Sequence, residues 1–97
     1  MSVGNSRIGF EITEIRVQGS VTVPGWCASA HVVATDVDGR KARGWVHLAK
    51  NGASIKIDSC DEYDETDPGL LAFVVATESG AIVAAVRAKI AETRLAA

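Results

Sequence analysis

Two cysteines and two histidines, Cys27, Cys60, His31 and His47, are the thiols and imidazoles of this chain. A catalytic thiolate–imidazole pair needs hydrogen-bond reach. Cys27 and His31 stand four apart in a segment that reads as extended. They would share one face but lie roughly 13 Å apart at about 3.3 Å per residue. Cys60 and Asp61 have no histidine nearby in sequence. There is no Cys-x-x-Cys, so a zinc site of that kind is not expected. Gly25, Gly39, Gly44, Gly52, Gly69 and Gly80 read as turn or packing glycines, and none builds a phosphate-binding loop. The sequence therefore reads as non-catalytic, with no catalytic residue, metal or cofactor expected.

Charge is distributed less evenly than a formal net of −2 implies. Six of the ten residues from Asp58 to Asp67 are acidic: Asp58, Asp61, Glu62, Asp64, Glu65 and Asp67. That segment carries −6, while the remainder, with ten Lys/Arg against six Asp/Glu, carries +4. The aspartates recur every third residue. A calcium loop needs oxygens at alternate positions, a glycine at its turn and a closing glutamate. This segment has the wrong spacing and no glycine. It reads as an acidic loop, kept soluble by its charge and ending in an Asp67 helix cap, or as a negative surface facing a basic partner. A basic hairpin with a tryptophan, Arg40, Lys41, Arg43, Trp45, Lys50 and Lys56, offers phosphate contact plus base stacking as the alternative. An overall pI near 5.6 counts against nucleic acid.

The positioning elements follow from periodicity. Ile8, Phe10 and Ile12 alternate with polar residues, and Ile15 and Val17 resume in opposite phase. That pattern predicts a strand with a bulge near Thr13-Glu14. Ser20 to Val23 reads as extended, with a turn at Pro24-Gly25. Strands over Trp26–Val37, Arg40–Lys50 and Ala53–Asp58 are separated by Asp38-Gly39 and Asn51-Gly52, dipeptides suited to tight hairpins. Leu70 to Ala76 is apolar on all sides, and Phe73 with Val74-Val75 favours a fifth strand over a helix. A helix then starts at Thr77 or Ser79, either of which can cap it. Ile82, Val83, Val86, Ile90 and Thr93 fall on one helical face. The fold class is α+β: a four- or five-stranded antiparallel meander with a C-terminal α-helix packed on one face.

Two-residue hairpin loops would set the faces. Val33, Val37, Val46, Leu48, Ile55 and Ile57 then share one, with His31 among them. Ala28, Ala30, Val32 and Ala34 share the other with Lys41, Arg43, Trp45, His47, Ser54, Lys56 and Asp58, and a two-residue turn at Pro24-Gly25 adds Ile15, Val17, Val21 and Val23 to it. In that register His31 and His47 point apart and cannot ligate one metal. One helix cannot cover both faces, which leaves an apolar-aromatic surface with Trp45 for something else. A three-residue loop would reverse this parity.

The chain reads as a single domain over residues 1–97, with enough hydrophobic content for a real core. No run reaches the roughly 18 apolar residues of a membrane span, and the N-terminus has no apolar signal core. Two cysteines are too few for a disulfide scaffold, so a reduced, cytoplasmic protein without membrane contact is expected. The functional expectation is a small protein-binding module. It would self-associate as a homo-oligomer or act as an inhibitor-like partner of a larger nucleic-acid-handling complex. Its expected docking residues are Trp26, Trp45, Arg43, His47, Lys56, Asp61, Glu62, Asp64 and Glu65, with aromatic anchors for affinity and charge for partner choice. The rivals are nucleic-acid binding through the Trp45 hairpin, and a small enzyme or enzyme subunit using a histidine or cysteine.

Overall fold

The computed structural model describes residues 9–18, 25–65 and 67–96. Strands β1 (Gly9–Val17), β2 (Trp26–Thr35), β3 (Lys41–Asn51) and β4 (Ser54–Glu65) precede helices α1 (Leu70–Thr77) and α2 (Ser79–Ala96). The strands form one antiparallel sheet in the order β1-β2-β3-β4, the meander expected from the turns. The helices pack on one face of it. The extended segment at Ser20–Val23, with Pro24 of its turn, lies outside the described residues.

Three departures from expectation matter for function. First, Leu70–Ala76 is helix rather than a fifth strand. Its entry explains why: Gly69 takes a left-handed φ of 84°, and the Leu71 amide donates to Glu62 Oε2 of β4 at 3.1 Å. A carboxylate there satisfies an orphan donor and the helix dipole together. Asp67 does not cap with its side chain; its carbonyl accepts from Leu70 N–H at 3.1 Å. The Asp67 side chain instead bonds Asp36 in the β2–β3 turn. That contact, together with burial, holds Asp67 above the ordinary carboxylate range, and the same bond holds Asp36 below it.

Second, the β2–β3 loop has three residues. Thr35 pairs with Lys41, Asp36 N–H donates to Arg40 O at 2.9 Å, and Gly39 closes the turn with φ of 87°. Asp36 Oδ1 also accepts from the amides of Asp38 and Arg40, which favours this longer turn. The face assignment therefore changes. Ala28, Ala30, Val32 and Ala34 lie opposite Leu48, Val46, Gly44 and Ala42. They form the buried core with Leu71, Val74, Ile82 and Val86, while Val33 faces the other way and Val37 is exposed in the turn. Ile15 and Val17 join the alanine side, as their register with Ala30 and Ala28 requires. The β3–β4 turn centres on Gly52-Ala53, with Gly52 at φ 65° and Asn51 paired to Ser54, so Leu48 and Ile57 stay on the core face.

Third, the acidic segment is not a loop: all but its end is β4. Aspartate and glutamate are poor strand formers. Pairing along β3 holds them extended, with the core-side contacts of Ile55, Ile57 and Cys60 anchoring that strand.

Burying Leu48, Leu71 or Ile82 fully contributes about 1.5–3 kcal/mol each. Small residues on β2 and β3 let α1 come close. A Cβ on Gly44 would overlap the Asp61 carbonyl and sit 2.5 Å from Leu71 Cδ2, so only glycine fits. Ile82 and Val86 of α2 are buried, with Val83 and Ile90 partly so, as the helical periodicity requires. No single described helix is long and apolar enough to cross a membrane. Residues Leu70–Thr77 and Ser79–Thr93 meet that test only together, and they are bent by 76° at the break.

Candidate functional site

The sheet face away from the helices carries both tryptophans and both histidines. Trp45 is opposite His31 and Asp61; His47 is opposite Ser29 and Ser59; Arg43 is opposite Val33 and Asp64. The placement of Trp45 on the uncovered side stands, but its companions differ from the expected ones. His31 joins it, and the β2 alanines do not. The two histidines thus share a face rather than pointing apart.

Four register shifts shape this face. The extra residues are Thr13 in β1, Cys27 in β2, and Asp58 and Tyr63 in β4. The first falls where the phase change in the sequence put it. A bulge re-aims a side chain, and three of the four aim polar groups at one cluster. Thr13 Oγ1 meets His31 Nδ1 at 2.6 Å, and Tyr63 Oη meets His31 Nε2 at 2.6 Å. Asp58 Oδ2 accepts from Trp26 Nε1–H at 3.0 Å. The fourth turns Cys27 to the helix side, beside Ile90 and Thr93, so Cys27 and His31 do not share a face. The two β4 bulges also account for the three-residue acidic period. In an unbroken strand, residues three apart alternate sides. With the extra residues, Asp58, Asp61 and Asp64 all serve the open face.

The rings form a belt across the sheet. Trp26 stacks on His47 with centroids 3.7 Å apart and planes within 5°. His31 meets Trp45 edge-on at 5.1 Å and Tyr63 at 5.6 Å. The Arg16 guanidinium lies 4.5 Å above the Trp45 ring and pairs with Glu14. Arg43 pairs with Asp64.

His47 sits at the centre of a Ser29–His47–Asp61 chain, with Ser29 Oγ 2.9 Å from Nδ1 and Asp61 Oδ2 2.9 Å from Nε2. The carboxylate fixes a proton on Nε2, so in the neutral ring Nδ1 accepts from the serine hydroxyl. These are the residue types of a hydrolytic relay, and they bring a histidine to a carboxylate. The setting is not a substrate pocket, however. Ser29 is 5% exposed and His47 is 8% exposed beneath Trp26, while the Asp61 side chain is 76% exposed. The crevices beside α2, lined by residues such as Ile15, Lys50, Ile55 and Ile90, contain neither histidine. The chain locks the imidazole flat under the tryptophan. Among the described residues no three His, Cys, Asp or Glu side chains converge to hold a metal.

Of the nine expected docking residues, Trp26, Trp45, Arg43, His47, Lys56, Asp61 and Asp64 come together on the open face. Glu62 does not: it lies opposite Gly44 on the core side and caps α1. Glu65 pairs with Ala42 in the β3–β4 ladder. Ser29, His31, Thr13, Tyr63 and Arg16 were missed. The bulge signal near Thr13 was the one available clue to them. Cys60 faces the core, and burial, with Glu62 and Asp61 adding, pushes its thiol above the ordinary range.

No family model, curated protein or solved structure matches this chain.

Proposed function

We propose that the protein is a small non-catalytic binding module that docks a protein partner through the open face of its sheet. Trp26 and Trp45 serve as anchors and the β4 carboxylates select the partner. The observation that supports this reading is the belt of Trp26, His47, Trp45, His31 and Tyr63, which no described element covers. Each of these rings is held by a stack, a hydrogen bond or a cation. A rigid aromatic surface gives up little side-chain freedom on binding, which favours affinity. Tryptophan and tyrosine are the residues that most often dominate such interfaces.

Nucleic acid fits this face less well. Its two arginines are engaged internally, Arg16 with Glu14 and Arg43 with Asp64, and Asp58 and Asp61 would face the phosphates. An inhibitor-like role against a nucleic-acid-handling complex is compatible with the reading, because carboxylates would then stand where phosphates bind. The two cysteines are free, which suits the reducing, cytoplasmic setting that the reading assumes.

The test is affinity capture from lysate with wild type, Trp26→Ala and Trp45→Ala, each verified as folded by circular dichroism, alongside light scattering. Loss of the captured partner in both variants is the expected result. A dimer that dissociates on Trp45→Ala would make the partner a second copy. Unchanged capture and unchanged size in both variants would remove the open face from function.

A further inference from the structure

We infer that the Trp26 end of the open face is a seat for an arginine side chain of the partner. This inference rests on the docking reading above. The two tryptophans provide the comparison. Both are half-buried on the same face, and both have a histidine against the ring. Trp45 already carries a guanidinium, that of Arg16 at 4.5 Å. Trp26 carries none among the described residues: one ring face lies on His47 and the other holds no ring or cation.

Carboxylates flank the stack beneath that ring face. Asp58 Oδ2 holds the indole N–H and Asp61 Oδ2 holds the imidazole beneath, so the stack has carboxylates at both of its layers. The second oxygen of each, Oδ1, carries no hydrogen bond among the described residues, and both residues are exposed. A planar guanidinium laid on Trp26 becomes the third layer of the stack, one layer from Asp58, whose Oδ1 its N–H groups would meet, and two layers from Asp61. Arginine suits this better than lysine, because its flat fork stacks and donates at the same time. An opposing charge, Lys56, is exposed and lies one residue pair beyond Trp26, across Ala49. Among the described residues it has no carboxylate partner, so its ammonium competes for the same oxygens.

The probe is acetyl-Gly-Arg-Gly-amide, titrated into the full chain and followed through the two indole N–H resonances. Its citrulline isostere, which keeps the shape but not the charge, is the control. The expected result is a saturable shift of the Trp26 indole with the arginine peptide only. Asp58→Asn should weaken it about tenfold, the scale of one charge-assisted contact, and Asp61→Asn, one layer farther away, by less. Lys56→Ala should tighten it, a sign that a general attraction to an acidic protein would also give. The decisive readout is therefore location: shifts must centre on Trp26, His47, Asp58 and Asp61. Equal binding of the citrulline peptide, shifts spread over the acidic surface, or indifference to both Asn variants would overturn the seat. If the peptide fails while partner capture still depends on Trp26 and Trp45, the docking reading survives and the arginine assignment falls. If capture is also indifferent to the tryptophans, both fall.

Discussion

The two faces of this sheet are made from the same four strands by different physics. The helix side is closed by volume. Ala28, Ala30, Ala34 and Gly44 are small so that Leu71, Val74, Ile82 and Val86 can settle on them. Contacts of that kind have no direction, and they hold through area and fit. The open side is closed by direction. Trp26, His31, His47, Trp45 and Tyr63 each have a named partner at a hydrogen-bond or stacking distance. Such a face contributes less to the stability of the whole and more to the placement of its own groups. The difference shows why a face can remain uncovered and still be ordered.

Breaking the helix side should have the largest effect. Leu48→Ala deletes a fully buried side chain and should lower the unfolding free energy by about 2–5 kcal/mol in a urea titration. Gly44→Ala forces Leu71 and the β4 backbone apart and should lose about 1–3 kcal/mol. The open side should respond to polarity rather than volume. His47→Ala leaves the buried Ser29 hydroxyl without its partner, a loss of about 1–3 kcal/mol by the same titration. Adding Ser29→Ala to it should recover part of that loss, whereas a volume-driven site would only get worse. Glu62→Ala tests the acidic side chain of β4 that caps α1 on the helix side. Removing the cap of the Leu71 amide should lose about 0.5–2 kcal/mol, with α1 fraying in hydrogen exchange before the sheet does.

The smallest effect is a pH slope. The Cys60 thiol is held above its ordinary range in the folded chain, so folding favours the protonated form. Its contribution is present below the unfolded thiol value and is lost as pH rises through the folded one. The thermal stability of wild type should therefore fall above about pH 9, and Cys60→Ala should flatten that slope. Alkylation of Cys60 should stay slow at neutral pH, because the reactive thiolate is disfavoured.

The four strands of the meander, the C-terminal helix and the first bulge were legible because alternation and turn dipeptides act locally. The facing of the strands was not. Asp36 draws two amides of the β2–β3 turn onto its side chain, which lengthens the loop by one residue and inverts the facing of β2 relative to β3 and β4. Nothing in the local pattern weighs that bond against a tighter hairpin. Asp58–Glu65 read as loop because its residues disfavour strands one by one, and only the tertiary pairing with β3 overrides them. Leu70–Ala76 read as strand because Phe73 and the valines carry that preference. Its helix depends on a carboxylate nine residues upstream. Seven of the nine expected docking residues share the open face, and of these Trp26, Trp45, His47 and the aspartates stand out by type. Thr13, Ser29 and Tyr63 did not, since their roles come from bulges and cross-strand neighbours.

The interruptions at Thr13 on one outer strand, and at Asp58 and Tyr63 on the other, have a consequence for assembly. Irregular rims lined with charge offer a foreign strand no continuous ladder to extend. The protein should therefore resist growing into fibres although no described element caps either margin, and any stable complex it forms should be layered rather than laid end to end.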